Sequence, residues 1–213
     1  ALVFSPLIGI AFGIALASLD RALAPLFGAG VRSVVTLLIA VIVTGGFSPR
    51  GIADLCEAVW RGARQAPTGL ARIGPLGLIA AVAWFAISAS VLSVITLAAA
   101  RTSALVMAML LSRWSLVPAG YGLNVREHWG LGVPFEGGIK FREFAVSSVV
   151  ALGLVMGMYA NVGIVAIVAA ALTILGLRLL AIRRLGGASG YVLAGGCATI
   201  EAVVLAVAAL LTA

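Results

Sequence analysis

The stretch FAVSSVVALGLVMGMYANVGIVAIVAAALTILGLRLLAI, Phe144 to Ile182, decides what kind of protein this is. Its only charge is Arg178. A helix needs about 20 apolar residues to cross a bilayer core, so the stretch is far too long for one crossing and long enough for two. Ala160-Asn161-Val162-Gly163 offers a turn near its middle, and the expected division is one span over 144–160 and another over 161–180.

Outward from that stretch the pattern repeats. Further apolar runs fall near 2–19, 33–46, 76–100, 102–121 and 191–212, the second of them short for a full crossing. The chain of 213 residues is 63% hydrophobic and 10% charged, with a mean hydropathy of +1.22, whereas soluble domains carry roughly 25% charged residues. The expected fold class is all-α: a polytopic integral membrane protein of about seven transmembrane helices, one domain over 1–213 with short motif-bearing loops. The chain opens on Ala1 rather than methionine, so an N-terminal portion is expected to precede it, and no signal peptide is read in the residues after Ala1.

The basic residues set an orientation. One side of a seven-span chain receives Arg50, Arg61, Arg64, Arg72, Arg126, Lys140, Arg142, Arg178, Arg183 and Arg184; the other receives Arg21, Arg32 and Arg101. Ten against three places the first set in the cytoplasm. Asp54, Glu57, Glu127, Glu136 and Glu143 lie on that same side, so polar chemistry is expected on one face. A transporter would keep polar groups near the midplane, where only Arg113 and Glu201 qualify. The net charge of +7 and pI of 10.7 follow from loop bias, and with no basic helix interleaved with aromatics no nucleic-acid partner is expected. Cys56 and Cys197 form no spaced set, and His128 has no neighbouring His or Cys, so neither a disulfide framework nor zinc is expected.

Four places have the residue types that phosphate chemistry needs. Just past the second apolar run comes TGGFSPRGIADLCEAVW, Thr44 to Trp60. Read as a helix from Gly51 to Arg64, it projects Asp54, Glu57 and Arg61 from one face, while Ile52, Leu55, Val59 and Trp60 form an apolar side suited to the membrane interface. Two carboxylates one turn apart can hold Mg²⁺, whose remaining shell is water and substrate phosphate; the same spacing also makes ordinary surface ion pairs. Arg72 in ARIGPLG stands beside glycines that admit an anion to backbone N–H groups, or it simply marks a membrane boundary. Arg113 lies deep within its span, where a charge usually faces the protein interior or a cavity, and Glu201 is its conceivable partner. Gly186, Gly187 and Gly190 in RRLGGASGYVLAGG open the last span as a loop that can wrap a phosphate, or serve close helix packing.

Taken in order, these stretches resemble the cobalamin synthase family, the adenosylcobinamide-GDP ribazoletransferases. The family's F-P-L-x-G is similar to Phe4-Ser5-Pro6-Leu7-Ile8-Gly9, its T-G-G-L-H-x-D-G-L-A-D-x-x-D-G to TGGFSPRGIADLCEA, and its D-S-R-I-G-x-x-G to LARIGPLG at 70–77. L-S-R-W matches Leu111 to Trp114, G-L-G matches 130–132, and L-G-G-x-T-G-D-x-x-G resembles LGGASGYVLAG at 185–195, with Glu201 beyond it. The resemblance implies a Mg²⁺-dependent enzyme of the bacterial inner (cytoplasmic) membrane, with its motif loops cytoplasmic. It joins α-ribazole phosphate to a nucleotide-activated corrinoid, adenosylcobinamide-GDP, and releases GMP. It further implies catalytic roles for Asp54, Glu57, Arg72 and Arg113, metal binding by Asp54 and Glu57, and substrate-phosphate binding by Gly45, Gly46, Gly186, Gly187 and Gly190.

The sequence departs from the family at its acids. Arg50, Leu70 and Tyr191 stand where the family has aspartate, and Glu57 where it has the shorter acid. Two expectations therefore run side by side: a phosphotransferase with a reduced acid set, or a catalytically degenerate member that serves as a subunit of a homo-oligomer or membrane complex.

Overall fold

In lipid a backbone must satisfy its own hydrogen bonds, so the apolar runs become helices. The computed structural model describes residues 4–61, 74–122, 139–185 and 190–212. In order they form α1 (Ser5–Leu23), α2 (Ala29–Val43), α3 (Phe47–Arg61), α4 (Pro75–Val94), α5 (Ala98–Trp114), the short α6 (Leu116–Gly120), α7 (Phe141–Leu180) ending in a wider turn at Ala181–Leu185, and α8 (Gly190–Thr212).

Among the described residues, six apolar segments are long enough to cross a membrane: Ser5–Leu23, Pro75–Val94, Ala98–Gly120, Phe141–Tyr159, Asn161–Leu185 and Val192–Thr212. Helices α2 and α3 pass the same test only together, and they meet at an 81° bend. The short second run of the sequence is thus one arm of a broken segment. The helical backbone of α7 continues through residue 160, yet the chain folds back there. A methyl group placed on Gly163 would lie 2.9 Å from the carbonyl oxygen of Val155. In a straight helix residues eight apart are separated by about 12 Å, so the expected turn at 160–163 is present.

Helices α5 and α8 form the centre. Some 72% of the apolar window of Ala98–Gly120 and 67% of that of Val192–Thr212 are buried, against 17–33% for the other spans. Leu105, Val106, Met107, Ala108, Leu110 and Leu111 are buried in succession, the pattern of a helix apolar on every side. The outer helices instead expose Ile8, Ile14, Leu38, Val82, Val149 and Leu172, which is the girdle a lipid-facing surface requires. Lipid is as apolar as these side chains, so burial of apolar area does little to hold helices together there, and close packing and interhelical polar contacts take over.

Two such polar clusters sit at opposite ends of α5. At its start, Arg101 is buried and donates to both oxygens of Asp20 on α1, Nε to Oδ2 and Nη2 to Oδ1, each at 2.8 Å. Its Nη2 also donates to Ser33 Oγ of α2 at 2.9 Å and its Nη1 to the carbonyl of Leu92 in α4 at 2.5 Å. Thr36 donates to Asp20 Oδ1 at 3.1 Å, and the Arg32 guanidinium stands 3.6 Å from Oδ2. Four helices are tied by one buried ion pair. Reading Arg32 and Arg101 as loop charges missed this, because nothing local marks Asp20 as their partner.

Candidate functional site

The other cluster lies where α5 ends and α3 begins. Helix α2 stops because Gly45 and Gly46 take φ of 62° and 75°, a region that costs an L-residue roughly 1–2 kcal/mol. Their N–H groups donate to the carbonyls of Ile42 and Val41, at 3.0 and 2.7 Å, so they close the end of α2. The resemblance implied that these glycines cradle substrate phosphate; in the structure their amides are already used, and their part is to turn the chain into α3.

That helix starts at Phe47, four residues before the expected Gly51, and is described to Arg61. The charge spacing read from the sequence holds. Arg50 Nε lies 3.6 Å from Asp54 Oδ2, and Arg61 Nε lies 2.9 Å from Glu57 Oε2. Glu57 is buried, and its Oε1 accepts the N–H of Gly77 at 3.0 Å in the first turn of α4. Gly74 must lack a side chain here, since a methyl group on it would collide with the Glu57 carboxylate. The apolar side of α3, expected to lie on the membrane interface, is largely covered by protein. Ile52, Leu55 and Val59 pack instead with Ala58, Ala181, Leu185 and Val192 inside the protein, and Trp60 alone of that set stays exposed. The bend turns α3 inward against α4 and α8.

Arg113 reaches the same region from the last turn of α5. Its guanidinium sits 4.7 Å from the centre of the Phe47 ring, the first residue of α3, and its Nη1 is 3.8 Å from Glu201 Oε1 of α8. The pairing anticipated from sequence is present, but 3.8 Å is too long for a hydrogen bond. Glu201 instead accepts from Ser112 Oγ at 3.2 Å. Arg113 Nη1 is buried with no hydrogen-bond partner among the described residues. Thr44, Ser48, Trp84, Met109, Arg113 and Glu201 line a narrow crevice of about 10 Å³, room for no more than about one water molecule. Trp84 is held in its wall by donating Nε1–H to the Ala198 carbonyl at 2.7 Å. A buried guanidinium with a spare donor is the kind of group that holds an anion, and this crevice must widen to admit one.

The structure therefore brings Asp54, Glu57 and Arg113 to one end of the bundle through α3 and Phe47. Gly190 begins α8 and is buried. Arg72, Gly186 and Gly187 lie outside the described residues. As arranged, the two carboxylates do not fit a magnesium centre: Glu57 has one oxygen on the Gly77 amide and the other on Arg61, and Asp54 faces Arg50. Among the described residues no group of three or more His, Cys, Asp or Glu side chains is placed to hold a metal ion.

Comparison with known proteins adds a second line. A family model described as Cobalamin-5-phosphate synthase matches residues 1–209. Three curated proteins called adenosylcobinamide-GDP ribazoletransferase are similar to the chain. That of Escherichia coli O17:K52:H18 is 30% identical over 197 residues (87% of this chain, 77% of the relative). That of Roseiflexus sp. is 29% identical over 212 residues (95% and 76%), and that of Geotalea daltonii is 28% identical over 149 residues (68% and 60%). The chain thus spans 60% of the Geotalea relative and about three quarters of the other two. No solved structure matches it.

Proposed function

Because the chain belongs to the Cobalamin-5-phosphate synthase family, we propose that it is a membrane phosphotransferase that joins α-ribazole phosphate to adenosylcobinamide-GDP and releases GMP. In this reaction a ribazole hydroxyl attacks one phosphorus of the diphosphate. A new P–O bond forms, the bridging P–O bond breaks, GMP departs with the bridging oxygen, and the hydroxyl proton is released. The protein's task is to hold both reactants and to stabilise negative charge that moves onto phosphoryl oxygens. Arg113 carries the reading: its buried Nη1 has no hydrogen-bond partner among the described residues, and its side chain is among those that line the crevice near the start of α3. Phe47 and Glu201 fix where that guanidinium points, so its donors are in place before substrate arrives. The surplus of basic residues on this side supports a cytoplasmic orientation for it, in a bacterial inner membrane.

The test is GMP release by the full chain in lipid nanodiscs, given both substrates, with and without Mg²⁺. Replacing Arg113 by Gln is expected to lower turnover by roughly 10²–10³, the usual loss when one transition-state donor is removed. Unchanged turnover in that variant would remove Arg113 from the reaction. A second reading, a non-catalytic subunit of a membrane complex, draws on the same ion pairs that occupy Asp54 and Glu57. It expects no GMP release beside an active relative in the same assay, and a partner that co-purifies.

A further inference from the structure

Arg113 and Glu201 face each other across a gap that neither closes. Nη1 of the arginine lies 3.8 Å from Oε1 of the glutamate, beyond a direct hydrogen bond, and it is buried with no hydrogen-bond partner among the described residues. A buried charge without a hydrogen bond raises the free energy of the fold. Arg101 and Arg178 avoid that by placing donors on carboxylate, hydroxyl and carbonyl oxygens. Arg113 and Glu201 both line the narrow crevice, whose volume of about 10 Å³ matches one water molecule and is too small for a phosphate group. Ser5, Ser88 and Ser147 also have buried hydroxyls without partners, but they are uncharged and none of them lines the crevice. The polar groups around it are complementary in kind. Arg113 Nη1 can only donate, and the Glu201 carboxylate, which takes the Ser112 hydroxyl on Oε1, has capacity to accept again. Thr44 Oγ1 has already given its hydrogen to the Ala40 carbonyl at 2.7 Å, so toward the crevice it accepts. A water that accepts one hydrogen bond and donates two makes about three in all, as buried waters usually do.

We infer that the crevice is a binding site for a single water molecule, which accepts from Arg113 Nη1, donates to Glu201 and Thr44, and so joins the end of α2 to α5 and α8. An oxygen about 2.9 Å from each atom spans the 3.8 Å between the guanidinium and the carboxylate. A water in that place is nearly as good a partner as a direct hydrogen bond. It gives Arg113 an oxygen without the close ion pair that holds Arg101 on Asp20, so the guanidinium keeps freedom to change partners. The water site is independent of the proposed reaction. Its consequence for Arg113 rests on that reaction: the widening that admits a phosphoryl oxygen to Nη1 begins by displacing this water.

The experiment uses the full chain, isotopically labelled at arginine, in phosphatidylcholine proteoliposomes. Water protons are excited and their magnetisation is followed onto the arginine side-chain nitrogens by solid-state NMR. The Arg113 and Arg101 signals are identified by their loss in Arg113→Gln and Arg101→Lys. Transfer to Arg113 is expected, with none to Arg101, which is 1% exposed. Ala40 is buried and lines the crevice, so Ala40→Val adds two methyl groups there and should abolish the transfer to Arg113. Transfer that survives this change in folded protein comes from bulk water and would overturn the inference, as would an Arg113 signal as dry as that of Arg101. A crystal structure that resolves ordered water is the second measurement and depends on no variant. One water within hydrogen-bond distance of Arg113 Nη1 and Glu201 is expected, and a dry crevice or a direct hydrogen bond between the two side chains would overturn the inference. Adenosylcobinamide-GDP added to the NMR sample separates this site from the proposed reaction. Loss of the Arg113 transfer on its addition is the displacement expected. Transfer that persists would sink the receptor role of Arg113 and leave the water site standing; a dry Arg113 in protein that releases GMP would do the reverse.

Discussion

Arg101 and Arg113 stand twelve residues apart on α5, about 18 Å along one helix, and the protein treats them in opposite ways. Arg101 is 1% exposed and has donors on Asp20, Ser33 and the Leu92 carbonyl. Arg113 has a carboxylate just beyond hydrogen-bond reach, an aromatic face beneath it and a buried nitrogen with no hydrogen-bond partner among the described residues. A buried charge that is fully paired ties structure together, whereas one left with spare donors keeps capacity for a ligand. The first arginine binds four helices; the second waits at a crevice.

Substitutions can break or sharpen that contrast. The largest effect on stability is expected from Arg101→Leu, about 3–5 kcal/mol, because it leaves the Asp20 carboxylate buried without its main partner. The same change made together with Asp20→Asn should cost less than the two singles summed, by thermal unfolding in nanodiscs. Full additivity would mean the pair does not act as a unit. Next comes Gly74→Ala, which drives a methyl group into the Glu57 carboxylate and is expected to cost about 1–3 kcal/mol, as overpacking does. Gly46→Ala follows, at roughly 1–2 kcal/mol for forcing a side chain into a positive φ, with a shifted α2–α3 bend as the accompanying sign. Arg113→Gln should move unfolding less than Arg101→Leu, by about 1–3 kcal/mol, since it removes a long 3.8 Å contact to the buried Glu201 while Ser112 still donates to that carboxylate, yet remove most turnover. If its unfolding shift instead matched that of Arg101→Leu, the two arginines would be alike and the contrast would fail.

The bilayer made much of the fold legible in the sequence. Run length alone located the six full spans, the short run that belongs to the bent pair, and the turn at 160–163, because the lipid thickness sets how much apolar helix is needed. Helical spacing located the Glu57–Arg61 pair of α3, and the cost of a charge within a span singled out Arg113 and its partner Glu201. The bend between α2 and α3 was not legible as an angle, although the glycine pair that makes it was in view. Whether the glycine amides face a ligand or their own helix depends on dihedral angles that composition does not carry.

By itself, the sequence determined an all-helical membrane protein, the places of its apolar spans, its charged face and its kinship with the ribazoletransferases, since these follow from local composition, period and ordered motifs. Only the tertiary structure decided which charges are partners. Asp20 and Arg101 are 81 residues apart in the chain, Ser112 and Glu201 are 89 apart, and Glu57 meets the Gly77 amide across a gap of 20. Such pairs form because a buried polar group must find a partner somewhere in the fold, and which one it finds depends on how the helices pack, a property that no single stretch of sequence contains.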